Sequence, residues 1–261
     1  MPGWMISALL AAAPTALPPT GPWRVDYAPD ICVMSRDFGA NANTVTIGFR
    51  PTPMGSGTEM LAIWSGEHKT VHDGAATVQL DSASPVTARY ARWTLPDNRQ
   101  MAIIEIADAT SIGGLDKAST LSVKLGDSPA WTLSLAAVAK AVAALNTCND
   151  DLLKSWGVDK AESARLSQPP RANPARYFGP DSYPYAALRV GAQGRVIVAV
   201  TIGIDGRISD CRVVSSSGNK ALDDGTCDVA RTIRYTPARD LAGAPTVAHQ
   251  VIPVRWVLPG G

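Results

Sequence analysis

The pattern of apolar and polar positions changes twice along the chain. From Asn43 to Ala136 it has a period of two. "NTVTIGFRP" places Val45, Ile47 and Phe49 on one face. "EMLAIWS", "AATVQLD", "VTARYARWTL", "MAIIEIA", "TLSVKLG" and "AWTLSLA" follow, separated by Gly, Pro, Asp and Asn. Short alternating runs between turn residues predict antiparallel strands in a sandwich or a curled sheet. The period then becomes helical. Leu135, Val138, Val142, Leu145, Cys148 and Leu152 recur at helical spacing, and Gly157 is placed to end that helix. A β-rich domain over 24–157, closed by an amphipathic helix, is expected.

Residues 158–176 are polar and contain Pro169, Pro170 and Pro174, which reads as a semi-rigid linker. From 177 to 261 a second pattern begins. "SYPYAALRVGAQG" predicts a short helix after Pro184. "RVIVAVTIGI" is a strand with Val196, Val198, Val200, Ile202 and Ile204 on one face. Asp205-Gly206 signals a hairpin, because Gly tolerates the positive φ of a tight turn. "RISDCRVVSSS" returns, and Ser216 or Ser217 is placed to cap the helix "GNKALDDGTCDVARTIR". "VAHQVIPVRWVL" is a final strand. The predicted class is α+β: a mostly antiparallel β domain, then an αββαβ domain with a three-stranded antiparallel sheet.

The ends and charges refine this picture. The run Trp4–Ala13 has the length of a signal-peptide core and is too short to span a bilayer. Residues 1–22 are therefore expected to be a signal peptide, cleaved near Ala16; an uncleaved inner-membrane tether is the alternative. The net charge of +1 argues against nucleic acid as the main partner. Residues 168–261 carry 11 Lys/Arg against 7 Asp, a balance of +4, which is mildly basic. Cys32, Cys148, Cys211 and Cys227 suit an exported protein and show no C-x-x-C spacing. Four cysteines allow three pairings; pairing within each half is the simplest.

The residues of the second half, in order, resemble the C-terminal domain of the TonB family. They are Tyr183-Pro184, Gly194-Arg195-Val196, Asp205-Gly206, Ser217-Gly218, Arg234-Tyr235, Pro237 and the strand ending Val251-Ile252-Pro253-Val254-Arg255-Trp256. The resemblance covers about 177–258; residues 24–157 resemble no family we can name. The family transmits inner-membrane energy to outer-membrane transporters. The resemblance implies a periplasmic, non-enzymatic protein without a cofactor. Its last strand, with His249, Gln250, Val251, Ile252, Val254, Arg255 and Trp256, would be an open edge. A short extended peptide of a transporter, the Ton box, would add to that edge. Val251, Arg255 and Trp256 would add selectivity. Inner-membrane motor proteins would be further partners if the N-terminus is retained, and a homodimer is compatible.

Two other classes compete. One is a cell-envelope binding or accessory module without energy transduction. The other is a metal-dependent enzyme using His68 and His72 of "EHKTVHDG", beside Glu67 and Asp73. A loop placement of that stretch favours surface histidines, so neither a metal site nor a catalytic residue is expected. Trp23, Trp64, Trp93 and Trp131 are read as core before they are read as a groove.

Overall fold

A computed structural model describes residues 16–52, 57–66, 73–107, 113–128 and 130–258. The proposed signal segment up to residue 15, and His68 and His72, lie outside the described residues. The chain is α+β and divides into two compact units, residues 1–24, 35–49 and 59–142, and residues 25–34, 50–58 and 143–261.

The strands of the N-terminal region are β1 (Arg24–Ala28), β2 (Ile31–Phe38), β3 (Val45–Pro51), β4 (Thr58–Trp64), β5 (Asp73–Leu80), β6 (Val86–Thr94), β7 (Gln100–Ile106), β8 (Thr120–Leu125) and β9 (Trp131–Ser134). In the first unit they hydrogen-bond in the order β2-β3-β4-β7-β6-β5-β8-β9. The pairs β6–β7, β5–β6, β5–β8 and β8–β9 are antiparallel. The sheet curls, and residues 17–20 join its ends. The Leu17 N–H donates to the Thr132 carbonyl at 2.7 Å, and Ser134 N–H donates to Leu17. The Thr20 N–H donates to Asp37, and Gly39 N–H to Pro18. These residues thereby bridge β9 to β2 and cover part of the edges that a sheet of this size would otherwise expose.

The period-two pattern accounts for the barrel interior. Phe38, Val45, Ile47, Phe49, Met60, Ala62, Val78, Ile104, Leu121, Val123 and Leu133 are all buried. Arg36 follows the same inward parity on β2, and its guanidinium donates to the Gly21 and Ala136 carbonyls at 2.6 and 2.5 Å. Burial lowers its pKa. Trp23, Trp64, Trp93 and Trp131, expected in the core, are half-buried. Trp64 and Trp131 meet edge to face at 5.1 Å, and Trp23 meets Phe38 at 5.9 Å.

In the second unit, helix α1 (Val138–Ser155) contributes its part from Ala143 onward. Gly157, at φ +78, ends it as expected. The Val158 N–H reaches the Leu153 carbonyl, and the Gly157 N–H that of Lys154. These two bonds satisfy carbonyls that a helix end leaves unpaired. Cys148 is bonded to Cys32, which fixes the β1–β2 turn to this helix.

Then come α2 (Lys160–Ser163), β10 (Leu166–Gln168), α3 (Tyr185–Leu188), β11 (Gly194–Ile202), β12 (Ile208–Ser215), α4 (Lys220–Thr232), β13 (Ala238–Asp240), β14 (Pro245–Thr246) and β15 (Ala248–Trp256). The main sheet has the order β12-β11-β15, antiparallel throughout. A second small sheet has the order β10-β13-β14. Part of the stretch expected to be a linker is therefore strand: Leu166 and Gln168 register with Asp240 and Arg239.

One face of the main sheet packs on α4. Val196, Val198, Val200 and Ile202 meet Leu222, Ala230, Ile233, Ile252, Val254 and Trp256 there. Cys211 on β12 is bonded to Cys227 on α4. A loop of that length stabilises by about 3 kcal/mol in the chain-entropy treatment. Ile197, Ala199 and Val251, on the other face, are buried as well. Trp156 and Val158 lie over that side, lining a cavity of about 190 Å³ with Ala199, Thr201, Arg212 and His249. The Arg212 guanidinium donates to the Trp156 carbonyl at 3.0 Å.

Candidate functional site

The expected edge strand is an edge. β15 pairs with β11 from Ala248↔Ile202 to Trp256↔Gly194 without a register shift, and among the described residues no strand pairs with its other side. Its side chains alternate. Ile252, Val254 and Trp256 enter the core against α4. His249, Gln250, Pro253 and Arg255 are half-buried or exposed.

The side chains expected to give selectivity are therefore placed unequally. Arg255 is exposed, Val251 is 7% exposed and Trp256 is 4% exposed. The Trp256 indole N–H donates to Thr226 Oγ1 at 2.9 Å, and its ring meets Tyr183 and Phe178 at 5.1 and 5.7 Å. Trp256 thus holds the fold from the inward face, and its side chain is not available to a strand adding at the edge. Near the start of β15, His249 Nδ1 lies 3.9 Å from Glu162 of α2.

The remaining motif residues build the scaffold of this edge. The Tyr183 hydroxyl donates to the Ala192 carbonyl at 2.5 Å, and burial raises its pKa. Pro184 lies against α4 at Gly225, where an added Cβ would sit 2.4 Å from the Pro184 Cγ. That close approach is the reason for a glycine inside this helix, and the sequence gives no local sign of it.

The hairpin is longer than the Asp-Gly signal predicts. Only Gly206 takes a positive φ, the turn spans 203–207, and Ile204 is exposed. Gly206 has a second constraint: a Cβ there would lie 2.0 Å from the Tyr235 carbonyl oxygen. Asn219, and not a serine, caps α4. Its side chain accepts from the Ala221 and Leu222 N–H groups. The Ser217 N–H and hydroxyl both donate to the Asp223 carboxylate in the first turn, which ties the chain ahead of the cap to the helix.

After α4, the Arg234 guanidinium donates to the carbonyls of Arg231, Thr232 and Ile233. The Tyr235 N–H donates to Gly206. The Tyr235 hydroxyl is buried without a hydrogen-bond partner among the described residues, and burial, with Tyr177 nearby, pushes its pKa up to about 12. No three His, Cys, Asp or Glu among the described residues converge as metal ligands.

The family described as "Gram-negative bacterial TonB protein C-terminal" matches residues 180–258. These residues form a TonB family C-terminal domain. Two proteins named "Protein TonB", from Xanthomonas campestris pv. campestris strains B100 and ATCC 33913, are each 32% identical to this chain over 84 residues. That stretch is 32% of this chain and 37% of each relative, so the chain spans little more than a third of the length of these relatives. The TonB domain contains α3, α4, β11 to β15 and both cysteines of the second disulfide. Among the described residues no helix is long and apolar enough to cross a membrane.

Proposed function

We propose that this is a periplasmic TonB-like protein that binds an extended peptide of an outer-membrane transporter by strand addition along β15. The observation that carries the reading is the open side of β15 in a TonB C-terminal domain. Its backbone groups offer hydrogen bonds in register, and its inward side chains are locked in the core, so the strand is presented without reorganising. The proposed role is non-enzymatic. Inner-membrane motor proteins join the scheme only if residues 1–22 keep the chain at the membrane.

The test uses the full ¹⁵N-labelled chain with both disulfides intact. It is titrated with synthetic peptides from the extended N-terminal segments of outer-membrane transporters of the same genome. Saturable amide shifts confined to β15 and its neighbour β11 are expected. Shifts elsewhere, or none at millimolar peptide, overturn strand addition at this edge.

A further inference from the structure

Pro253 stands in the middle of β15, opposite Ile197, in a ladder that continues without a shift on both sides. An antiparallel ladder alternates between pairs that exchange hydrogen bonds and pairs that do not. Proline has no N–H, so Pro253↔Ile197 is a pair that exchanges none. This fixes the phase of the whole strand. Gln250, Ile252, Val254 and Trp256 turn their backbone groups toward β11. His249, Val251, Pro253 and Arg255 turn theirs toward the open side.

The open edge therefore offers N–H donors at His249 and Val251, about 6.8 Å apart, and none where Pro253 stands. Both of these donors lie before the proline. We propose that Pro253 limits strand addition to a short partner centred on His249–Val251. The partner's chemistry follows: an extended segment whose backbone, through paired donors and acceptors, is recognised over about three residues. Opposite the proline the partner's carbonyl finds no donor. The same gap disfavours a long partner strand running the full length of β15. This inference rests on the strand-addition reading above.

The experiment is the peptide titration repeated on Pro253→Ala and on His249→Pro, both in the full chain. Pro253→Ala restores one outward N–H and leaves the bonds to β11 unchanged. His249→Pro removes one outward N–H in the same phase. The expected result is a Kd about fivefold lower for Pro253→Ala, the effect of one net hydrogen bond. A new peptide-dependent shift should appear at the residue 253 amide, and binding by His249→Pro should weaken severalfold. In the unsubstituted chain the largest shifts should fall on His249 and Val251. If peptide binds with shifts spread evenly from Ala248 to Trp256 and Pro253→Ala binds no tighter, the proline inference is overturned and strand addition stands. If no peptide shifts β15 in any of the three proteins, strand addition is overturned and the footprint with it.

Discussion

Replacing Gly225 with alanine sets two effects of known sign against each other. In the interior of a helix alanine is better than glycine by about 1 kcal/mol. Gly225 lies within α4, so propensity alone predicts a more stable protein. The structure predicts the reverse. A Cβ at 225 would stand 2.4 Å from Pro184 Cγ and 3.3 Å from its Cβ. Carbon atoms prefer roughly 3.5–4.0 Å, so the shortfall exceeds 1 Å. Pro184 cannot swing aside: its φ of −61 is set by the ring, and it opens α3, where its carbonyl accepts from Ala187 and Leu188. Overpacking of this kind costs about 1–3 kcal/mol, so Gly225→Ala should be destabilised by about 1 kcal/mol net. The cause is separable by a cycle. In a Pro184→Ala background the ring is gone, and Gly225→Ala should become neutral or stabilising. The coupling between the two sites should then be about 2 kcal/mol. The assay is native-state hydrogen exchange at Val198 and Val200, buried in the central strand β11, which reports opening of this domain and not of the barrel. Additive effects within about 0.5 kcal/mol, or a Gly225→Ala single variant more stable than the parent, would refute the close-approach argument.

Two further expectations concern buried or paired polar groups. Tyr235→Phe removes a buried hydroxyl that has no partner among the described residues, so it should leave stability unchanged or raise it slightly; a clear loss in the same exchange assay would show that the hydroxyl is satisfied. The Asp37 carboxyl is held below the usual carboxylate range, first by the Thr46 hydroxyl at 2.6 Å and then by Arg24. A depressed folded pKa contributes stability above the unfolded value near 3.9, and that contribution is lost as pH falls through the lower folded value. Acid unfolding of the barrel below about pH 4 should accordingly be shallower in Thr46→Val, and an unchanged profile would remove Asp37 from the account.

The legible and illegible parts of the chain separate by range of interaction. Strands β3 to β9 could be read because their inward residues are nearly all apolar and their period is local. β2 escapes a reading for apolar alternation because Arg36 occupies an inward position, and only the distant carbonyl of Ala136 and that of Gly21 explain it. The alternation Cys32, Met34, Arg36, Phe38 was a usable signal. The closure of the sheet by residues 17–20 depends on partners more than 100 residues away at β9, and no local pattern encodes it. In the second half the helices, the three main strands and the edge position of β15 were legible through local pattern and family resemblance. The helix cap lies two or three residues beyond the serines that local pattern favours, because serines and Asn219 are all good caps and the Asp223 carboxylate engages Ser217 instead. Tyr235 and Gly206 looked like separate signals. They are one contact, since the glycine exists to let the Tyr235 backbone approach.

The sequence boundary at 177 and the structure lead to a last expectation. A fragment starting at 177 keeps α4 and the core it covers, but it loses Trp156 and Val158. The opposite face of the sheet carries Ile197, Ala199 and Val251, all apolar and all buried in the full chain. Removing their cover would expose a contiguous apolar patch across β11 and β15, and a bare apolar sheet face favours self-association. The Arg212 guanidinium would also lose the Trp156 carbonyl. The proposed strand addition uses the edge of this same sheet, so a fragment that pairs through its bare face would give a false picture of peptide binding. The check is sedimentation velocity and dye binding on residues 177–261 beside the full chain. The fragment should sediment above its monomer mass and bind an apolar-surface dye strongly. A monomeric fragment with unchanged amide protection at Ile197, Ala199 and Val251 would show that the TonB domain is complete from residue 177 and that residues 153–158 are not part of its fold.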